Sequence, residues 1–185
     1  MNTTTRNFRI TLSGECGAGK GSAGKESARV LSLPFVSTGD LFRLEAQRRG
    51  LSLAELHKLA RQEPEIDRQI DAQTREYGER HQAFVFDARL AWHFIPHSFK
   101  VFLVCEENER MRRIADREGK PIEVVRRETL YREALMREQY THLYGIDDFM
   151  RPDQCRFDLI IDTTRLSIRD VTARIICGAT RYSLG

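Results

Sequence analysis

The run Gly14-Glu15-Cys16-Gly17-Ala18-Gly19-Lys20-Gly21-Ser22 holds the residues best suited to chemistry in this chain. Closely spaced glycines let backbone N–H groups converge on one anion. A helix that starts directly afterwards aims its positive end at the same point. Lys20 is placed to reach the outer phosphates of a bound polyphosphate, and Ser22 offers a hydroxyl for a metal ion. The usual pattern puts Ser or Thr directly after the lysine. Here that position is Gly21, and the hydroxyl comes one residue later.

Fifteen or so residues on, Ser37-Thr38-Gly39-Asp40-Leu41-Phe42-Arg43 forms a hydroxyl-rich turn that opens a helix. Arg43 lies about one turn in, where it could clamp a second phosphate in two-point geometry. By itself the run also fits an ordinary helix cap. A third group is made of arginines. Arg110, Arg113 and Arg117 share one helix face at i, i+3 and i+7, and Arg132 and Arg137 follow on the next helix. Phosphoryl transfer spreads negative charge over several oxygens, and mobile cations that also exclude water suit it. Asp116, Glu118, Glu128 and Glu133 are interleaved with these arginines, a pattern that fits a solvated face equally well.

These groups need a scaffold. Residues 7–12 alternate as a first strand, 13–21 form the glycine loop and 22–33 a helix. Residues 34–37 read as a second strand. Thr38 is expected to cap a helix that runs to 49, and Gly50 to end it. Ser52 to Glu55 reads as a capping box, and Pro64 opens another helix. Residues 83–87, 99–105 and 157–162 complete five strands, with helices over 107–117, 120–143 and 167–177. Strands alternating with helices imply a parallel sheet covered on both faces. The strand-free segments 50–82 and 110–145 are expected over its carboxyl edge, where ligands bind in such folds.

Composition narrows the function classes. At 185 residues the chain matches one domain. Hydrophobic residues make up 41% and charged residues 31%, as in a globular enzyme. The net charge of +3 is too small to demand a nucleic-acid partner, although 25 of the 30 bases are Arg. The arginines are diluted by acids and not interleaved with aromatic platforms, which argues against RNA. No apolar run approaches a membrane span, and residues 1–6 hold no apolar signal core. Cys16, Cys105, Cys155 and Cys177 form no CxxC pair and no zinc-ligand spacing, so they read as reduced thiols of a cytoplasmic protein.

The Gly-Lys-Gly-Ser ending of the loop and the Ser-Thr-Gly-Asp-Leu-Phe-Arg run resemble the nucleoside-monophosphate kinases of the P-loop superfamily. Leu51 to Glu55, Pro64 to Asp71, Ala88 to Ala91 and Tyr144 to Asp147 narrow the resemblance to the compact, archaeal-type cytidylate kinases. It spans residues 8 to 178. It implies an α/β P-loop NTPase fold: a five-stranded parallel sheet flanked by helices, in one kinase domain. A monophosphate-binding segment would occupy 38–82 and an arginine-rich lid 110–145. The implied reaction is ATP- and Mg2+-dependent phosphorylation of CMP or dCMP. ATP would contact Gly14, Glu15, Cys16, Gly17, Ala18, Gly19, Lys20, Gly21, Ser22 and Arg110. Lys20, Arg113, Arg132, Arg137 and Asp87 would serve catalysis, with Ser22 and Asp87 placing the metal. Ser37, Thr38, Asp40, Arg43, Asp71 and Arg89 would hold the acceptor.

Asp87 could equally be a buried strand-end carboxylate, and Asp71 a solvated helix residue. Cys16, Ala88, Trp92 and Gln139 depart from the family pattern, the last removing one potential phosphate ligand. Rivals are another small-molecule kinase on the same fold and a nucleotide-binding regulator without turnover. The expected partners are nucleotides, with neither nucleic acid nor membrane, and a monomer is the expected state.

Overall fold

The computed structural model describes residues 8–60, 62–152 and 156–183. Cys155 and Asn7 lie outside the described residues. The elements are β1 (Phe8–Gly14), α1 (Lys20–Leu31), β2 (Phe35–Ser37), α2 (Thr38–Arg49), α3 (Leu53–Ala60), α4 (Pro64–Arg80), β3 (Ala83–Asp87), α5 (Ala91–Phe94), β4 (Phe99–Val104), α6 (Glu107–Glu118), α7 (Ile122–Tyr144), β5 (Leu159–Asp162) and α8 (Ile168–Tyr182).

The five strands form one parallel sheet in the order β2-β3-β1-β4-β5. β1 is central because its run from Ile10 to Gly14 is buried on both faces. Period-two alternation divides the side chains. Ile10, Leu12, Val85, Val101 and Leu103 pack under α1 and α8, while Phe84 and Phe86 pack on the other face with Phe94, Ile146 and Phe149. The second face also buries hydroxyls on β1, which are satisfied: Thr11 pairs with Ser98 at 2.9 Å, and Ser13 donates to the Ala88 carbonyl at 3.1 Å.

The strands stay parallel, but β2 and β3 are added on one side of β1 and β4 and β5 on the other. That switch point is where open parallel sheets leave a crevice. Gly14 and Asp87 end adjacent strands there, with Leu12 in register with Asp87.

Several local expectations shift. The first helix begins at Lys20 rather than Ser22, so the lysine belongs to its first turn. Ser37, not Thr38, caps α2: its hydroxyl accepts the Asp40 amide at 3.1 Å from extended backbone. Gly50 ends α2 in the left-handed region at φ 67°. The Ser52–Glu55 box is reciprocal, with amide-to-side-chain distances of 3.2 and 2.8 Å. Ser167 caps α8, which runs on to Tyr182. The one-turn α5 carries no sequence signal that separated it from a loop.

Candidate active site

Gly14 leaves β1 at φ 136°, and a Cβ there would lie 2.2 Å from the Leu103 carbonyl oxygen. At Gly17, at φ 82°, a Cβ would lie 2.7 Å from the Arg110 carbonyl oxygen. Only glycine lets the chain turn this tightly between β1 and α6. The Lys20 ammonium folds back over the loop and donates to the Gly14 and Glu15 carbonyls at 2.9 Å each. Burial pushes its pKa down, opposed chiefly by the Asp87 carboxylate. Burial likewise raises Asp87, opposed by Lys20 and then Arg89.

The loop forms one wall of a cleft of about 900 Å³. Residues 16–23 and Asp87 line one side, Glu109, Arg112, Arg113 and Arg117 of α6 another, and residues 163–168 with Val171 the third. Arg113 is held by protein acceptors all round. Its Nε donates to Glu109 at 2.9 Å, its Nη1 to the Thr163 hydroxyl at 3.3 Å, and its Nη2 to the Thr163 carbonyl at 2.8 Å. Glu109 also takes Arg112, and the paired guanidiniums draw its pKa down to about 2.

Cys16 gathers cations from three elements. Arg89, just past β3, donates to its sulfur at 3.0 Å, Arg132 of α7 lies at 3.5 Å, and Lys20 is close by. Burial works to raise the thiol's pKa, but Arg89, Lys20 and Arg132 outweigh it, and the net shift is downward. The sulfur thus sits where three cations converge. Arg89 also meets the Tyr140 hydroxyl, whose pKa burial lifts to about 12.

Arg110 stands apart from the cleft cations. Its side chain is only 4% exposed. It pairs with Glu133 at 2.9 Å and Glu15 at 3.2 Å and donates to the Cys16 carbonyl at 3.0 Å. The i, i+3, i+7 stripe therefore splits. Arg113 and Arg117 reach the cleft, whereas Arg110 is turned inward, where two carboxylates offset its charge and a carbonyl accepts one of its protons. Arg137 is also drawn off, lying half-exposed and 3.8 Å from Asp148.

At the start of α2, Ser37 donates to Asp40 at 2.7 Å, and Asp40 binds Arg43. Burial would raise Asp40, but the Ser37 and Arg43 hydrogen bonds hold it below the usual range. Thr38 opens α2 beside them. Asp71 of α4 accepts the Tyr144 hydroxyl of α7, and burial lifts its pKa to about 6. One turn earlier, Gln139 donates to Asp67 at 2.6 Å. Gln139 thus joins α7 to α4.

Thr163, Thr164 and Glu133 escaped sequence reasoning. The two threonines directly follow β5, and the end of a parallel strand was signal enough to single them out. Glu133 looked like one more interleaved acid, and nothing local marks it as buried.

The model of the cytidylate kinase-like family matches residues 9–165. A cytidylate kinase of Pyrobaculum arsenaticum is 38% identical over 162 residues, covering 87% of this chain and 86% of its own. That of Aeropyrum pernix is 37% identical, covering 94% and 99%. Among solved structures, a shikimate kinase from Acinetobacter baumannii aligns with TM-score 0.66 at 15% identity, covering 97% of each chain. One from Bacteroides thetaiotaomicron aligns with TM-score 0.61 at 22% identity, covering 91% and 95%. Those likenesses concern the fold alone. With the family match running from β1 to the loop after β5, the chain belongs to the cytidylate kinase-like family.

Proposed function

We propose that the protein is a nucleoside-monophosphate kinase that transfers the terminal phosphoryl group of ATP to CMP or dCMP. The observation that carries this reading is the meeting of Lys20, Arg89 and Arg132 at the mouth of a glycine loop. Three cations from three elements fit a reaction in which charge moves between two phosphates. The relatives named cytidylate kinase direct the choice of acceptor.

The loop suits a triphosphate because residues 16–23, with the start of α1, line the cleft and bring backbone N–H groups and Lys20 to it. Mg2+ fits the oxygen donors available: the Ser22 hydroxyl and the Asp87 carboxylate, few protein ligands being usual for an ion that shares phosphate oxygens. When bound it neutralises charge on the outer phosphates. Asp87 lies near the position after the lysine, with Oδ2 3.5 Å from where a Gly21 Cβ would stand.

The acceptor would lie between Arg43, Arg89 and Asp71. Its phosphate is the nucleophile and is largely ionised near neutral pH, so no general base is needed. Arg132 and Arg113 would stabilise the moving charge, and Arg137 would join them only by leaving Asp148. Closure of α6 and α7 would exclude water. The Asp71–Tyr144 pair would place a carboxyl at the base edge.

A coupled assay for ADP across all ribo- and deoxyribomonophosphates, with shikimate and gluconate as acceptor controls, tests this. CMP and dCMP should give the highest kcat/KM, because a wrong base leaves buried polar groups unpaired. A higher value for AMP overturns the acceptor assignment. ATP binding without transfer to any acceptor replaces the enzyme with a nucleotide-binding regulator.

A further inference from the structure

Thr163 follows β5 and is buried, although it borders the cleft. Its backbone N–H donates to the Val104 carbonyl at 2.8 Å, extending the sheet by one residue. Its hydroxyl lies 3.0 Å from the Ala18 carbonyl and 3.1 Å from that same Val104 carbonyl. Arg113 supplies donors to the hydroxyl at 3.3 Å and to the Thr163 carbonyl at 2.8 Å.

A hydroxyl has one proton to give and lone pairs to accept with. The Val104 carbonyl is already served by the Thr163 amide, and the Arg113 guanidinium can only donate. The Thr163 proton therefore belongs to Ala18. A buried carbonyl in this position would otherwise lack that partner, at a real cost in stability.

The peptide between Ala18 and Gly19 is planar, so its C=O and N–H point in opposite directions. Holding the Ala18 oxygen on Thr163 turns the Gly19 N–H the other way. Gly19 is the N-cap of α1, in the left-handed region at φ 91° and without a side-chain cap. In that region a glycine peptide can flip at small cost, so something must choose its orientation. No neighbour on β1 supplies the choice; the brace comes from the far side of the cleft.

We infer that Thr163 is a positioning residue for phosphate binding: its hydroxyl, clamped by Arg113, turns the 18–19 peptide so that the Gly19 N–H faces the phosphate of the donor nucleotide. The inference rests on the reading that the 14–22 loop binds a triphosphate. It adds a link between loop and lid, because Arg113 belongs to α6. The arginine then tightens the loop before it meets any ligand.

Affinities by calorimetry for ATP, tripolyphosphate and CMP, on wild type, Thr163→Val and Thr163→Ser, test it. Valine keeps the shape and removes the hydroxyl, so ATP and tripolyphosphate should both bind about ten-fold more weakly, one lost hydrogen bond's worth. CMP affinity should stay within two-fold. Serine should restore both losses to within about three-fold of wild type. Thr163→Ala carries the same expectations should the valine variant not fold.

Loss of ATP affinity alone, or tight ATP binding by a wild type that ignores tripolyphosphate, would place the effect at the base and overturn the inference. Equal weakening of CMP would mean general loosening and overturn it too, as would unchanged affinities in both hydroxyl-free variants. A wild type that binds neither ATP nor tripolyphosphate removes the loop reading itself, and the inference with it. Normal wild-type binding with unaffected variants removes the inference alone.

Discussion

Lys20 holds the loop carbonyls of Gly14 and Glu15, and in the proposed reaction it would also present a charge at the transfer point. Replacing it by Ala leaves the glycines and amides in place, so ATP should still bind, more weakly. The lost charge interaction tightens in the transition state and should lower kcat by ~100-fold or more. A variant that keeps about a third of wild-type kcat, far above that expectation, would remove the loop from catalysis. Asp71 offers a prediction of a different kind. Burial raises its carboxyl to about 6, the Tyr144 hydrogen bond and Arg75 opposing and Asp67 adding to it. The folded state therefore prefers the protonated form. The penalty is absent below the unfolded value of 3.8, grows as pH rises, and is complete above about 6. Asp71→Asn keeps an acceptor for Tyr144 and removes the penalty. Urea unfolding should show the variant more stable by ~1–2 kcal/mol at pH 7.5, after discounting the partial exposure, with little gain at pH 4. An equal gain at both pH values would separate the effect from ionisation.

At the scale of elements, α1 approaches the sheet through Gly24. Glycine inside a helix usually costs ~1 kcal/mol relative to Ala, so sequence alone marks Gly24 as a weakness. A Cβ there would stand 2.7 Å from Phe35 Cε2 and 2.8 Å from Leu12 Cδ1. Gly24→Ala should therefore destabilise by ~1–3 kcal/mol instead of stabilising, through overpacking between α1, β1 and β2. A rise in Tm would show that Phe35 gives way freely. Helices α6 and α7 carry a related lesson. Their extents were readable from caps and charge, yet which side of α6 faces the cleft was not. Arg110 and Arg113 are three residues apart on one stripe, and only their partners on other elements separate them.

Across the whole molecule, Arg110 of α6, Glu133 of α7 and Glu15 of the loop form a node that joins both helices to the glycine loop. Burial raises the Glu15 pKa and Glu133 adds to the rise, while Arg110 opposes it. Removing one member leaves a charge buried with too few partners. Glu133→Ala should cost ~3–5 kcal/mol in chemical denaturation, and pairing Glu133→Leu with Arg110→Met should recover most of it. A single-variant loss under ~1 kcal/mol would show that the node relaxes into solvent. The node and the Thr163–Arg113 contact hold the glycine loop from two sides, so the loop and α6 share their stability.

What the sequence by itself determined is local or periodic. The glycines, the lysine and the following helix lie within nine residues, and their chemistry follows from spacing. Five strands follow from apolar runs of strand length, and their parallel order from the helices between them. Caps such as Gly50 and the Ser52–Glu55 box need only their neighbours. Tertiary structure decided which equivalent residues do what. Glu133 and Glu128 are alike in sequence, but α7 buries the first against Arg110 and leaves the second on Lys120. Arg132 reaches Cys16 across 116 positions, and Thr163 reaches Ala18 across 145. Partners so distant in the chain are set by the packing of α6, α7 and β5 around one crevice. A charged side chain's role is decided by the partner burial brings to it, and that partner is not written beside it.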